Sequence, residues 1–343
     1  MSLHFPRHNG PADKAIDHLL ELVGNVHHPE IVREMIIAAL KAGLEEEEKV
    51  DLKLMNSTLK EMRFTSKIFG PYSNIKKVTV FGSARTKNDE PVYGMARQLG
   101  KVLAESGYMV ITGAGPGIMQ AVNEGAGPEH SFGVNIRLPF EQKPNPVLEG
   151  NPRLITYKYF FNRKVAFIKE AHAVALFPGG FGTLDEAMET LTLLQTGKRD
   201  PLPLLLVDEP GGEYWTKWVR FFEDELLSQR YIAAMDFNLF ERVDSVGAVV
   251  ESIRRFYYRY HSLRYVKQKL VLRLVLPLEL QAISELNSLF HDILTPRGKI
   301  RLSDPLPEET DEPEIAGLQR LVVDFNRRDF GRLRSLINAI NGY

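Results

Sequence analysis

The chain has 343 residues, with 43 Lys and Arg against 44 Asp and Glu and a formal net charge of -1. That balance supplies no global pull towards nucleic acid or an anionic membrane, so neither is an expected partner. The complete absence of cysteine excludes disulfides, thiolate metal sites and a cysteine nucleophile, while a hydrophobic fraction of 44% is ordinary for a globular chain long enough for one large or two modest domains.

The opening residues Met1 to Pro6 lack the apolar core of a signal peptide, and no run approaches the roughly 18 apolar residues of a spanning helix, so a soluble cytoplasmic protein is expected. Residues 12–69 are helical in pattern. Ile16, Leu19, Leu20 and Val23 fall at i, i+3, i+4 and i+7, Leu52, Met55, Leu59 and Met62 repeat the spacing, and 31–40 is a further apolar-rich segment that stops near Gly43. The acidic run 45–48 reads as a solvated helix face. Gly70-Pro71 breaks the pattern, so 1–70 is expected to be a helical extension without chemistry of its own.

From Lys77 the pattern alternates. Strand-like runs at 78–81, 108–112, 132–138, 173–177, 202–207 and 239–243 are separated by helical segments at 92–106, 118–126, 159–171, 184–195, 214–227 and 245–260. This predicts right-handed crossovers and an α/β, Rossmann-like, doubly wound parallel sheet over 71–262. Residues 263–343 read as a small α+β module: strands at 269–276, 300–302 and 319–325, helices at 278–293 and 329–340, and an acidic, proline-bounded loop at 305–313. It offers no catalytic constellation, so a regulatory, assembly or sheet-covering role is expected.

Three expected strands deliver loops of unusual composition: Phe81-Gly82-Ser83-Ala84-Arg85, Gly113-Ala114-Gly115-Pro116-Gly117 and Pro178-Gly179-Gly180-Phe181-Gly182-Thr183. Ligands of open α/β sheets bind beyond the carboxyl ends of the strands, at the switch point, so the loops converge if the first and fourth runs are neighbours. Little side chain lets a ligand approach the backbone, and the helix after Thr183 would aim free N–H groups and its positive dipole end there. Thr183-x-x-Glu186 also fits a capping box. Three glycines in four positions and the adjacent carboxylates Asp185 and Glu186 exceed what a cap requires.

The dinucleotide fingerprint is missing, since Gly82-Ser83-Ala84-Arg85 is not G-x-G-x-x-G and the second strand run ends Val110-Ile111-Thr112 without an acid; the P-loop pattern is absent too. The loops suit a single phosphate, held by backbone N–H groups and the Ser83 and Thr183 hydroxyls. Arg163 and Glu186 stand twenty-three positions apart across one helix and one strand, so both can face the same opening. A planar guanidinium suits phosphate or ribose hydroxyls, and a carboxylate stabilises positive charge or polarises water. His27, His28 and His172 lack companions at metal-ligand spacing, and the aromatic run 256–260 reads as packing more than base stacking.

P-G-G-F-G-T-L-D-E over 178–186 resembles the P-G-G-x-G-T-x-x-E signature of the LOG ("lonely guy") family, the cytokinin-activating phosphoribohydrolases and their bacterial nucleotide nucleosidase relatives. Arg163-Lys164 lies where that family carries an arginine-lysine pair, and 113–119 resembles its other glycine loop; the likeness spans roughly residues 76–260. It implies hydrolysis of the N-glycosidic bond of a nucleoside 5'-monophosphate, purine and AMP-like or N6-modified, to free base and ribose 5-phosphate. Arg163 and Glu186 would be the catalytic residues. Ser83, Arg85, Gly113, Gly115, Gly117, Lys164, Gly179, Gly180, Gly182 and Thr183 would hold the nucleotide in at least a homodimer, with neither metal nor cofactor. The alternative is a nucleotide-binding regulatory protein without turnover. The lysine decarboxylase label that members have carried finds no support in these residues.

Overall fold

The computed structural model describes residues 10–46, 48–138 and 143–343; Met1 to Pro6 and Glu47 of the acidic run lie outside them. The chain divides into two compact units, Met1–Phe64 and Thr65–Tyr343. The first holds α1 (Pro11–Val23), α2 (Pro29–Glu45) and most of α3 (Lys49–Phe69), the helices that the apolar spacing predicts. Proline opens both α1 and α2, at the position where its missing N–H costs nothing. Arg33 of α2 is buried and its guanidinium meets Asp13 and Asp17 of α1, the latter at 3.2 Å. On α1, Ile16 is buried whereas Leu19, Leu22 and Val23 stay exposed.

In the second unit the order is β1 (Lys77–Phe81), α4 (Pro91–Glu105), β2 (Met109–Thr112), α5 (Ile118–Ala126), β3 (Ser131–Ile136), β4 (Leu154–Tyr157), α6 (Phe160–Lys169), β5 (Ala173–Leu176), α7 (Phe181–Gln195), β6 (Leu204–Val207), α8 (Tyr214–Phe221), β7 (Glu241–Val243) and α9 (Val246–Phe256). The seven strands pair in the order β4-β3-β2-β1-β5-β6-β7, and every pairing is parallel. This is the Rossmann-like doubly wound sheet that the alternation predicts. Strands β1, β2, β5 and β6 are buried along their whole length, which is why they read as continuous apolar runs rather than alternating ones. Strand order reverses between β1 and β5, so their carboxyl ends open the crevice where such sheets take ligands.

Two elements differ from the sequence reading. Leu154-Ile155-Thr156-Tyr157 forms an edge strand, β4, which a four-residue run does not announce. Helix α9 stops at Phe256, and Tyr260, expected to end it, begins a strand of a second sheet instead. That sheet contains β8 (Tyr260–Val266), β9 (Lys269–Leu274), β10 (Ile300–Ser303) and β11 (Gln319–Val323), antiparallel in the order β10-β11-β9-β8, together with α10 (Leu280–Leu289) and α11 (Phe330–Gly342). Leu270, Leu272 and Leu321 of its strands share one core with Leu286 of α10 and Ile337 of α11. The acidic loop is strapped down by Glu309, buried between Arg273 at 2.8 Å and Arg320 at 3.2 Å.

Helix α11 fastens the antiparallel sheet to the parallel one. Arg334 is 2% exposed; it donates to the Leu202 carbonyl at 2.7 Å and to the Glu241 carboxylate at 3.0 Å, and its guanidinium lies 4.4 Å from the centroid of the Phe256 ring. Burial pulls its pKa down to about 10, with the Glu241 charge opposing. Removing one partner of a buried pair leaves the others desolvated and unmatched, so Arg334→Ala should lower unfolding free energy by about 3 kcal/mol. Urea denaturation of the full chain measures this, and a change within experimental error would show that the tie carries no stability.

Candidate active site

Ser83 joins the three loops through its backbone. Its N–H donates to the Pro178 carbonyl at 3.0 Å and its carbonyl accepts the Ile118 N–H at 3.0 Å, so the loop after β1 is stitched to the loops after β5 and β2. Gly117 makes this approach possible: its φ is +68°, and a Cβ there would lie 2.3 Å from the Ser83 carbonyl oxygen. From α8, the Tyr214 hydroxyl donates to the Gly179 carbonyl at 2.6 Å and fixes the third loop from behind.

A cavity of about 740 Å3 opens over these loops, within the size range of small-molecule sites. Ser83, Arg85, Arg163, Gly179, Gly180, Gly182, Thr183 and Glu186 all line it, together with Met119, Phe160 and Phe181, which the sequence reading passed over. Their signal was position: Met119 follows the second glycine loop, Phe181 interrupts the third, and Phe160 precedes Arg163 by one helical turn. Gly113, Gly115, Gly117 and Lys164 stand outside the lining. Gly113 backs the Arg163 guanidinium, Gly115 offers its carbonyl to Asn145 at 3.1 Å, and Lys164 holds carboxylates.

Helix α7 begins at Phe181, three residues before the expected start at Leu184, with Gly180 as its cap. Thr183 and Leu184 donate their N–H groups to the Gly180 carbonyl at 3.0 and 3.1 Å, so no capping box forms and Glu186 is not held by the Thr183 amide. The amides of Phe181 and Gly182, in the first turn, have no intrahelical acceptor. A Cβ on Gly180 or Gly182 would meet nothing within 4 Å, and neither has a positive φ. The fold itself therefore makes no demand for glycine at these two positions.

Glu186 is buried, and its Oε2 has no hydrogen-bond partner among the described residues. Lys164 reaches across from α6 to Asp185 at 2.8 Å, Glu189 at 2.5 Å and Glu186 at 3.7 Å. Burial pushes the Glu186 carboxyl up to about 7; the charges of Lys164 and Arg163 oppose this, and those of Glu189 and Asp185 add to it. Arg163 donates from Nε to the Val134 carbonyl at 2.9 Å and lies 5.0 Å from the Phe167 ring centroid, its pKa lowered by burial and supported by Glu186. The result is a carboxyl poised near neutrality beside a fixed cation, at a helix N-terminus with unoccupied donors.

Fold and site thus define a doubly wound α/β protein in which a cavity at the switch point gathers backbone amides, an arginine and a buried glutamate. The family described as "Possible lysine decarboxylase" matches residues 118–253. An Arabidopsis thaliana protein named "Probable cytokinin riboside 5'-monophosphate phosphoribohydrolase LOG6" is 31% identical over 142 residues, 40% of this chain and 69% of that protein. A second from Arabidopsis thaliana, a cytokinin riboside 5'-monophosphate phosphoribohydrolase, is 30% identical over 143 residues, 40% of this chain and 65% of its own length. The pyrimidine/purine nucleotide 5'-monophosphate nucleosidase of Escherichia coli strain K12 is 31% identical over 141 residues, 38% of this chain. The match spans 30% of the length of that bacterial relative. The chain belongs to the LOG family.

Two outcomes follow from the geometry. A Cβ on Gly113 would lie 2.5 Å from Arg163 Nη2 and 2.8 Å from Met119 Sδ, so Gly113→Ala must push the buried guanidinium away from its Val134 and Phe167 contacts. A loss of about 1–3 kcal/mol in unfolding free energy is expected, and an unchanged urea midpoint would show that these side chains yield freely. A Glu186 carboxyl raised from 4.5 to about 7 binds more protons folded than unfolded, so it lowers stability as pH rises through that interval. Glu186→Gln should therefore be more stable than the parent by roughly 1–3 kcal/mol at pH 8 and by less at pH 5; equal urea midpoints at both pH values would contradict the shift.

Proposed function

We propose that this chain hydrolyses the N-glycosidic bond of nucleoside 5'-monophosphates, purine and AMP-like or N6-modified, releasing free base and ribose 5-phosphate. The reading is carried by Glu186: a buried carboxylate with one unpartnered oxygen, lining a cavity of mononucleotide size beside Arg163 and the open amides of α7. The phosphate would sit on the Phe181 and Gly182 N–H groups and the Ser83 hydroxyl, where the helix dipole favours an anion. The open space at Gly180 and Gly182 lets it approach the backbone. Positive charge grows on the ribose as the base departs, and a fixed, buried carboxylate stabilises that state more than the ground state. Ionised Glu186 supplies the charge and orients water, while Arg163 holds ribose or phosphate oxygens.

The decarboxylase description is not supported by Lys164. A Schiff base needs a neutral amine, whereas burial, which lowers the Lys164 pKa, is outweighed by Asp185, Glu189 and Glu186, so the ammonium is held above its ordinary value. The names of the relatives point instead to nucleotide cleavage.

The test is incubation with a panel of nucleoside 5'-monophosphates and detection of free base and ribose 5-phosphate. Glu186→Gln should still bind nucleotide but turn over about 10²- to 10³-fold more slowly; near-parental hydrolysis would remove Glu186 from the chemistry. Because the ionised form is the working one, kcat/KM should rise through a pKa near 7. Adenosine, lacking the phosphate anchor, should be a far poorer substrate than AMP. Nucleotide binding without release of base from any member of the panel would leave the alternative of a regulatory nucleotide-binding protein.

A further inference from the structure

A second cavity, of about 500 Å3, lies at the opposite end of the parallel sheet, where β1, β5 and β6 begin, and is closed on its other side by β8, β9 and the strapped acidic loop. It has no part in the proposed hydrolysis, yet cations converge on it. Lys76, just before β1, has no carboxylate partner among the described residues; its ammonium is 5.2 Å from the Tyr257 ring centroid. Arg199, in the loop after α7, donates from Nη2 to the Ala171 carbonyl at 2.6 Å, while its Nε is buried without an acceptor. Behind them Lys77 is buried, its ammonium held by the carbonyls of Tyr72 at 2.6 Å and Ile75 at 3.0 Å rather than by an acid.

The two histidines of the cavity report that field. Burial, then the charges of Lys77, Arg199 and Lys76, push His172 down to about 4; burial, Lys76 and Arg273 also lower His261. His172 Nδ1 accepts the Lys77 N–H at 3.2 Å, so the proton of the neutral ring sits on Nε2 and is a donor. Of the acids of the lining, Glu312 is taken by Arg264, at 2.9 Å, and by Arg273, while Asp200 and Glu314 are exposed. An arginine donor buried without an acceptor carries a desolvation cost that an anion would relieve.

We propose that this rear cavity binds a phosphorylated small molecule, its phosphate held by Lys76, the free Nε of Arg199 and the His172 Nε2–H, with its remainder along Tyr257 and Tyr260. The probe is inorganic pyrophosphate, titrated calorimetrically into the full chain carrying Arg163→Ala so that the front cavity is weakened. Pyrophosphate should bind this protein, and adding Lys76→Ala and Arg199→Ala should weaken binding at least about tenfold, the scale of losing one charge-assisted hydrogen bond. Lys76→Glu, at an exposed position, should weaken it comparably and serves if the double change impairs folding. Three results would overturn the proposal: no binding to the Arg163→Ala protein, binding indifferent to the rear substitutions, or sulfate binding as tightly as pyrophosphate, which would reduce the site to a general anion trap.

Discussion

The backbone of one residue, Ser83, holds the front of the molecule together. Its N–H and carbonyl are each committed to a different neighbouring loop, so three chain segments separated by up to a hundred residues are brought into register by two hydrogen bonds. Each bond contributes only about 1 kcal/mol net, and their importance lies in geometry. They set the distance between the hydroxyl of Ser83 and the open amides of α7, and a shift of an ångström there is costly to any positioned reaction. The parallel sheet beneath makes this possible by ending β1 and β5 side by side.

The electrostatic design runs against stability. Glu186 lies where its charge is poorly solvated, and Lys164 only partly offsets this because it is shared with Asp185 and Glu189. A fully compensated carboxylate would have a low pKa and little reason to respond to charge developing nearby. One under-compensated by burial has free-energy headroom to be relieved when a cation forms beside it. Residues that hold a function at a cost to the fold are expected at such sites.

Much of this was legible in the sequence. The alternation of apolar runs and helical segments yields the parallel sheet because buried strands have no polar face to disguise them, and the glycine loops stand out because their composition departs from packing needs. The site residues assembled from afar were not legible. Tyr214 reaches Gly179 across 35 positions and Val134 offers Arg163 a carbonyl across 29, contacts that no local spacing encodes. β4 escaped because an edge strand of four residues has too few positions to display a period. β8 escaped because its Tyr-His-Ser start continues the aromatic run that ends α9.

The clamp made by Arg334 has a consequence for how the chain is born. Synthesis proceeds from the N-terminus, and domains generally fold as they emerge, but this cation follows every strand of the parallel sheet in the chain. Every strand of the parallel sheet leaves the ribosome before the group that joins β6 and β7 to α11 has emerged. During that interval Glu241 lacks its inner counter-ion and the apolar face that α11 covers is open to water, a window in which chaperones or unwanted partners compete. A stop codon arising just before residue 334 would leave all the residues of the front cavity in place and make that interval permanent.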